Sequence, residues 1–381
     1  MKIAIFCPSY PPALKEGGIA HYTQLLAHHI APLVGKVTIV TNQYYNGTGN
    51  DGPISIIQFT EPWDWLTARK IRLELKARSV DLVNLQYSPV MYSTRSKFMW
   101  PFIAQRFAST ISFHTLWGGS KINYLAAMWL LATASGMIAT NSEVLYLTRK
   151  FFPFYHRKAR LIPIGPNIAP QADKKAYAEI SKKHLPDING PLLVHFGMPY
   201  PGKGVKALLK ATQVLKNEYR LDIHLVVIGG GVSESSTYVQ KRKNMAAALG
   251  LDDRVIWTGR LAAEAVSALI CRGDVVVLPF ESGVSDRRGS LMAALAHQKA
   301  VVTFRPSIPM PFFKNGVNMV WPDREDAEAL AAAICAVLQD KDLRRRLEDG
   351  AAELVKHYDW ANIALRTRTW FAEISLSKPM G

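Results

Sequence analysis

The chain has 381 residues, of which 49% are hydrophobic and 20% charged, and its formal net charge is +16. This length favours two domains over a single core, and the composition excludes a disordered or fibrous chain. Its three cysteines, Cys7, Cys271 and Cys335, are far apart and odd in number. They show no metal-ligand spacing and no disulfide framework, which indicates a reducing compartment.

Strands and helices alternate through the first part of the chain. The first apolar run is short and predicts a strand rather than a signal peptide. Residues 122–140 carry no charge, but Ser135 and Gly136 divide them, so a buried helix and a core strand are preferred to a transmembrane helix. The predicted strands are 2–7, 37–41, 54–59, 82–85, 109–113, 137–139 and 159–162, and the predicted helices are 19–31, 68–79 and 124–133. This order predicts a parallel, doubly wound domain over residues 1–170.

A second α/β series follows a polar segment, residues 171–190, which predicts a linker with a short helix. The predicted strands are 192–196, 223–228, 255–257, 275–278, 301–303 and 319–321, and the predicted helices are 205–219, 238–249, 263–271, 291–297 and 327–338. Residues 343–374 predict a helical tail with a break near residues 358–360. The fold class is therefore α/β, with a second doubly wound domain over residues 191–355 and a cleft expected between the two domains.

Glycines and polar residues stand where several predicted strands end. In the first domain, Gly17 and Gly18 open a helix, where backbone N–H groups can meet an anion, although such a pair is also an ordinary turn. His114 ends a strand and is either an acid, a base or hydrogen-bond donor, or a structural histidine. Asn141 at the next strand end is explained by helix capping alone.

The second domain has the larger set of candidate binding residues. Lys203 lies in the segment GMPYPGKG (197–204), at the start of a helix where a cation could meet a phosphate. No Ser or Thr follows that lysine, so the segment is not a Walker P-loop, and the missing G-x-G-x-x-G after the first strand counts against a dinucleotide oxidoreductase. Residues 229–231 and Gly259–Arg260 also follow strands. The loop 281–290 opens a further helix and contains Glu281, Asp286, Arg287 and Arg288.

The positive charge is concentrated in residues 1–170, which contain 17 Lys and Arg against 7 Asp and Glu. Aromatic residues alternate with these basic residues near positions 98–107 and 151–155. A basic and aromatic surface suits an anionic membrane face, nucleic acid, or simply solvent. Nucleic acid is disfavoured because the chain contains no recognised nucleic-acid-binding module.

Over nearly its whole length the chain resembles the GT-B glycosyltransferases, and within them glycosyltransferase family 4. The resemblance rests on the order and spacing of PSYPPALKEGGIAHY, DLVNLQYSP, ISFHT, IATNSE, LIPIGPN, HFGMPYPGKGVKALLKA, VVIGGG, VIWTGRL and PFESGVSDRRGSLMAALAHQKAVV. It implies a nucleotide-sugar donor on the C-terminal domain, an acceptor on the N-terminal domain, and transfer with retention at the anomeric carbon. It implies no cofactor and no bound metal, and a helix within residues 356–381 that crosses back to the first domain.

The resemblance also assigns roles to individual residues by position. Gly18 matches a loop glycine near the donor phosphates and the acceptor, His114 the histidine near the transferred sugar, and Lys203 a lysine on the donor diphosphate. Arg260 and Leu261 match the strip near the nucleobase. The remaining positions expected to bind the donor are Gly197, Gly230, Glu281, Arg288, Gly289 and Ser290.

The chain departs from the family pattern in this same region. The usual pair of glutamates, separated by seven residues, is replaced by Ser285 and Ala293, and the usual arginine after Gly197 is Met198. We therefore expect Arg287 or Arg288 to replace the missing diphosphate cation, and Asp286 or Glu281 to bind a sugar hydroxyl. His114, Lys203, Asp286 and Arg287 are the candidate catalytic residues.

Two functions of different classes follow from this sequence. The first is a retaining hexosyltransferase at the cytoplasmic face of the membrane, which builds a lipid-linked oligosaccharide or a cell-surface polysaccharide. Its partners would be a nucleotide-sugar donor, a glycan or lipid-linked acceptor and an anionic membrane surface, without nucleic acid. The second is a GT-B module that has lost its chemistry and binds a membrane or a partner protein. A sugar-nucleotide epimerase is less favoured, because the chain lacks extra candidate carboxylates.

Overall fold

The computed structural model describes residues 1–13, 17–47, 49–116, 118–170, 174–229 and 237–377. The chain divides into two compact units. The first unit is Met1–Asn167 together with the chain from Tyr358 onward, and the second is Ile168–His357. Each unit is built on one sheet, so the predicted α/β class with two Rossmann-like domains is confirmed.

The first unit has an eight-stranded sheet in the order β3-β4-β2-β1-β5-β6-β7-β8. All neighbouring strands are parallel except the short β3, which is antiparallel to β4. The strands are β1 (Lys2–Phe6), β2 (Lys36–Asn42), β3 (Asn50–Asp51), β4 (Ile54–Phe59), β5 (Leu82–Tyr87), β6 (Ala108–Phe113), β7 (Gly136–Ala139) and β8 (Ala159–Leu161). The helices are α1 (Gly18–Ile30), α2 (Trp65–Ala77), α3 (Thr94–Ala104), α4 (Lys121–Thr133) and α5 (Ser142–Phe151), with 3₁₀ turns at Ala31–Leu33, Pro89–Met91 and Pro153–Lys158.

The second unit has a five-stranded parallel sheet in the order β11-β10-β9-β12-β13. Its strands are β9 (Leu192–Phe196), β10 (His224–Ile228), β11 (Val255–Gly259), β12 (Val275–Leu278) and β13 (Val301–Thr303). Its helices are α6 (Lys174–His184), α7 (Val205–Asn217), α8 (Thr237–Ala248), α9 (Ala263–Arg272), α10 (Gly289–Ala296), α11 (Ala327–Gln339) and α12 (Lys341–Val355). A 3₁₀ turn, Lys356–Tyr358, precedes α13 (Trp360–Ser377).

Two apolar layers cover the sheet of the first unit. Helices α2 to α5 bury one side of each helix in a cluster with Val83, Leu85 and Ile111. On the opposite face, α1 and α13 pack on Ile3, Ile5 and Ile138. Alternate residues of parallel strands point to opposite faces, which is why strands covered on both sides are apolar throughout. The helix α13 therefore completes the second layer of the first unit.

The structure differs from the sequence prediction in several places. The antiparallel strand β3 was not predicted. Helix α3 was not predicted, because Pro101 interrupts its apolar pattern. Residues 319–321 form two isolated bridges, Val302 with Val320 and Asn315 with Met319, instead of a strand. The short helix expected in the linker is α6, but it packs on α9 and so belongs to the second unit, where the Tyr177 hydroxyl is 3.1 Å from Ser267 Oγ.

The uncharged stretch within residues 122–140 forms most of α4 and the strand β7. Ala134 and Ser135 separate the two elements, as the sequence indicated. In the part of the chain that the structure describes, no helix combines the length and the apolarity needed to cross a bilayer.

Candidate functional site

The turn after β9 forms the floor of a candidate anion site in the second unit. Gly197 ends this strand in a left-handed conformation (φ 141°) that favours glycine. A Cβ atom at this position would lie 3.8 Å from Lys203 Nζ and 3.8 Å from Ser290 Oγ. A primary amine and a hydroxyl from different loops therefore converge on one small space beside a bare backbone. Such a space suits a phosphate oxygen.

Two cations of this site share one aromatic ring. Lys203 Nζ lies 5.2 Å from the centroid of Phe280, and the guanidinium carbon of Arg288 lies 4.7 Å from it. The ring itself is fully buried. Arg288 also donates from Nη2 to Ser282 Oγ at 2.7 Å, which fixes the guanidinium direction. Packing on a buried ring positions both charges before any ligand binds.

Burial and neighbouring charge both act on Lys203. The pKa of Lys203 is lowered to about 8, mainly because burial removes solvent from the amine. The positive charges of Arg288 and Arg287 lower it further. A bound anion would reverse the effect of the neighbouring charges, because it stabilises the protonated amine. The positive charges at this site therefore favour the binding of a dianionic ligand.

Helix α10 begins at the same site. Its N-cap residue, Arg288, makes no side-chain capping bond, so the first N–H groups of α10 have no side-chain acceptor at that cap. Ser290 is 7% exposed, and its hydroxyl has no hydrogen-bond partner among the described residues. The neighbouring Ser285 is equally buried and its hydroxyl is likewise without a described partner. Unsatisfied buried hydroxyls are costly in a protein and suggest a missing ligand.

The other sequence-predicted residues of this unit are placed differently. Asp286 is buried, at 3% exposure, whereas Glu281 and Arg287 are exposed and Gly289 is half-buried. Arg260 and Leu261 follow β11, the edge strand, which β10 separates from β9. The structure thus groups Gly197, Lys203, Arg288 and Ser290, and leaves Arg260 and Leu261 at the sheet edge. Gly230 lies outside the described residues.

Sequence reasoning missed His195, which lies in the middle of β9. Its side chain is completely buried, Nδ1 donates to the carbonyl of Val277 at 2.9 Å, and Nε2 has no partner among the described residues. Burial lowers its pKa to about 4, and the charge of Lys203 acts in the same direction, so the ring is neutral near pH 7. A single histidine inside an otherwise apolar strand, directly before a glycine turn, was the available signal.

The candidate residues of the first unit are Gly18 and His114. His114 Nε2 donates to Gln86 Oε1 at 2.9 Å, and the imidazole packs edge-to-face on Tyr22 with ring centroids 4.8 Å apart. Burial lowers the pKa of His114 to about 3. A base this weak stays neutral at physiological pH, so the geometry favours hydrogen bonding by His114 over proton transfer.

A buried polar ladder supports His114. Gln86 donates to Asn84 at 2.6 Å, and Asn84 donates to Thr110 at 2.9 Å and to Ser112 at 3.1 Å. All four of these side chains are fully buried on β5 and β6. Their sequence signal is the alternation of polar residues within LVNLQY and ASTISF, which was missed because both segments predict core strands. A satisfied buried network of this kind holds its members in one arrangement.

Gly17 and Gly18 stand at the start of α1, where neither backbone conformation nor a described neighbouring atom requires glycine. Gly17 has an extended conformation (φ −148°), and Gly18 is the first residue of the helix. A Cβ atom on either residue would meet no described atom within 4 Å. The space beside this helix N-terminus is open, which leaves room for a ligand to approach the backbone there.

We expect Gly18→Ala to leave folding unchanged and to lower kcat/KM of the sugar transfer that the sequence resemblance implies by about tenfold or more, since a methyl group would occupy the open space. Gly49→Ala is the matched control, because a Cβ atom there also meets no described atom within 4 Å. Thermal unfolding and steady-state kinetics of both variants test this. Equal activity of the two variants would contradict a ligand-binding role for Gly18.

Among the described residues, no group of three or more His, Cys, Asp or Glu side chains is placed to share a metal ion. The polar groups gathered at Gly197 are cations and hydroxyls, which are donors to an anion rather than ligands for a cation.

Comparison with known proteins matches each half of the chain to a family of glycosyltransferases. The model of the family described as "Glycosyl transferases group 1" matches residues 177–354, and that of "Glycosyltransferase Family 4" matches residues 16–170. The D-inositol 3-phosphate glycosyltransferase of Corynebacterium efficiens is 22% identical over 221 residues, which cover 55% of this chain and 51% of the relative. The alpha-D-kanosaminyltransferase of Streptomyces kanamyceticus is 25% identical over 222 residues, which cover 56% and 55% respectively. The matched region thus spans about half the length of these curated relatives.

A solved structure shows the same fold over the full length. The crystal structure of Anabaena HepE in complex with UDP and glucose has a TM-score of 0.75 and 17% identity, and the match covers 98% of this chain and 100% of HepE. The two family models together cover most of the chain, one on each unit. The chain therefore has the fold of the GT-B glycosyltransferases, and its two units match the families described as "Glycosyltransferase Family 4" and "Glycosyl transferases group 1".

Proposed function

We propose that the chain transfers a sugar from a nucleotide-sugar donor, with the donor diphosphate bound beside Gly197 in the second unit. The observation that carries this proposal is the convergence of Lys203 Nζ and Ser290 Oγ on the space beside Gly197. Arg288 shares the Phe280 ring with Lys203 and adds the second fixed charge. HepE, which has the same fold, was crystallised with UDP and glucose. UDP-glucose is therefore the first donor to test.

The chemistry follows from where charge develops during transfer. Cleavage of the bond between the sugar and the diphosphate leaves negative charge on the leaving diphosphate. Lys203, Arg288 and the N-terminus of α10 are fixed before the reaction, so they stabilise that charge without reorganisation. We propose that Arg288, rather than the exposed Arg287, replaces the cation that is missing at Met198. His114 would contact the transferred sugar through hydrogen bonds in its neutral form.

The missing glutamate pair requires other contacts to the donor sugar. Ala293 is completely buried in α10, so the second position of the pair carries no polar group. Ser285, at the first position, has a buried hydroxyl with no described partner. We propose that Ser285 joins Asp286 or Glu281 in binding a sugar hydroxyl. Retention at the anomeric carbon and independence from metal are proposed from the resemblance to family 4.

The proposed acceptor is a glycan or a lipid-linked sugar used in cell-surface oligosaccharide or polysaccharide biosynthesis, and the proposed location is the cytoplasmic membrane face. The alternative is a GT-B module without chemistry. A thermal-shift panel of UDP-, GDP-, ADP- and CMP-sugars separates the two, because a ligand that binds the native state raises the unfolding temperature. Stabilisation by one nucleotide series supports the enzyme. A folded protein that no donor stabilises would contradict it.

Donor affinity should depend on pH through Lys203. The pKa of Lys203 in the free protein is about 8, and a bound diphosphate raises it, so affinity is greatest below pH 8 and falls above it. We expect the dissociation constant of UDP to rise by about tenfold between pH 7 and pH 9 if binding requires the protonated amine. Calorimetric titration across this range measures the effect. In Lys203→Met the dissociation constant of UDP should no longer rise with pH. If it still rises, a group other than Lys203 causes the pH dependence.

A further inference from the structure

The outward side of α4 is apolar although it faces solvent. Four of its side chains lie on this side, and they are 48%, 51%, 41% and 44% exposed: Ile122, Leu125, Met128 and Trp129. The inward side of the helix packs in the core through Ala127, Leu130 and Leu131. Surface helices normally carry polar residues outward. In α4 the one charged residue is Lys121, at its first position.

The neighbouring elements extend this apolar surface. Lys97 of α3 donates to Asn123 Oδ1 of α4 at 2.6 Å, and the Tyr124 ring stacks on Phe152, just after α5, with centroids 5.0 Å apart. These contacts hold α3, α4 and the end of α5 side by side. The exposed aromatic residues on these neighbouring elements are Phe98, Phe102, Phe151 and Phe154, of which Phe154 is 91% exposed. We call these four residues and the four exposed residues of α4 the α4 face.

The segment that carries the α4 face is strongly basic. Residues 94–160 contain nine Lys and Arg but a single acidic residue, Glu143. Of the nine, Lys97 is buried and Arg160 packs on Trp370 of α13, on the opposite face of the sheet, whereas the others are exposed or half-buried. Lys150 lies 5.4 Å from the ring centroid of Phe151, so charge and apolar surface are adjacent. The combination of outward aliphatic and aromatic groups with flanking cations is typical of a surface that lies in a lipid headgroup region.

We propose that the α4 face docks the protein on an anionic lipid bilayer. This docking surface rests on the membrane location in the proposed function. Docking there would give the protein access to a lipid-linked acceptor. A second copy of this chain is a poor occupant, because the same positive charge would oppose itself. Nucleic acid could use the exposed rings of this face but not its aliphatic side chains Ile122, Leu125 and Met128, whose exposure a bilayer explains. An anionic bilayer matches both the charge and the apolar side chains.

The test is sedimentation of the full chain with vesicles of phosphatidylcholine, with and without phosphatidylglycerol. The disrupting variant is Leu125→Ser/Trp129→Ser, and the control is Leu365→Ser on α13. Leu365 is 52% exposed, close to the 51% of Leu125, but α13 packs on the opposite face of the same sheet. All of these side chains are exposed, so the variants should unfold at nearly the same temperature as the parent.

We expect the parent protein and Leu365→Ser to sediment with phosphatidylglycerol vesicles, more weakly as salt increases. The bound fraction of the double variant should fall by about fivefold or more. Equal binding of parent and double variant, or equal binding to vesicles without phosphatidylglycerol, would overturn the proposal. A parent protein that stays in the supernatant and is dimeric by light scattering would overturn it in favour of self-association. Thermal shift with UDP-sugars is measured on the same samples. It tests donor binding, and therefore the glycosyltransferase proposal, independently of membrane binding.

Discussion

Replacing Lys203 by methionine should lower kcat/KM for the nucleotide-sugar donor by about 10²–10³-fold, the range found when one fixed stabilising group is removed from an active site. Methionine keeps a side chain of similar length and removes the charge that lies 5.2 Å from the Phe280 ring centroid. The loss should exceed the loss of ground-state UDP affinity, because charge on the diphosphate is greatest when the sugar bond breaks. Steady-state kinetics and UDP titration of one preparation give both quantities.

Lys206→Met is the matched control for this experiment. Lys206 lies three residues further along the chain, in the first turn of α7, and its side chain is exposed. A general loss of positive charge would affect both variants equally, whereas a fixed diphosphate contact affects Lys203 alone. If the two variants have the same kcat/KM, Lys203 does not act on the leaving group. The proposed donor site would then have to be moved away from Gly197.

The fold was largely predictable because strand and turn signals are local. Runs such as Val275–Leu278 are rich in β-branched residues and precede a proline, and glycines stand at or just after the ends of β9, β10 and β11. Such signals require only the periodicity and turn preferences of a few neighbouring residues. Helix α3 was missed for the same reason, because Pro101 disrupts the local pattern while packing on the sheet keeps the helix.

The site was less predictable, since burial decides what a side chain can do. Sequence patterns grouped Asp286, Arg287 and Arg288 as equal candidates in one polar loop. In the structure, Asp286 is buried, Arg287 is exposed, and Arg288 stacks on Phe280. Ser285 lay in the same loop, yet a serine has no distinctive signal until its hydroxyl is found buried without a described partner. Side-chain direction depends on contacts between distant segments, which one sequence does not show.

The surroundings of His114 were also not predictable from the sequence. Its position at the end of β6 was predictable, but its partners were not, because Gln86 and Asn84 lie on the adjacent strand. Burial lowers the pKa of His114 to about 3, so the ring stays neutral near pH 7. A role in proton transfer, which the sequence left open, is thereby disfavoured on physical grounds.

Gly204→Ala should destabilise the second unit by about 3 kcal/mol or more, through both backbone strain and steric overlap. Gly204 is the N-cap of α7 and has a left-handed conformation (φ 73°). A Cβ atom there would overlap the carbonyl oxygen of Pro279, at the end of β12. This close approach holds the turn 197–204, which carries Lys203, against the loop before α10. The variant should therefore also lose UDP binding. For a unit of this size we expect the unfolding temperature to fall by roughly 6–12 °C.

Gly202→Ala separates the two causes. Gly202 is also left-handed (φ 91°), but a Cβ atom there meets no described atom within 4 Å, so only backbone strain is expected, at about 1 kcal/mol. Calorimetry of both variants in the presence and absence of UDP measures the difference. A larger loss in Gly204→Ala, with UDP stabilising Gly202→Ala but not Gly204→Ala, supports a loop held by contact with Pro279. Equal losses in the two variants would mean that conformation alone requires glycine at position 204, and that the Lys203 loop can move away from β12 without unfolding the unit.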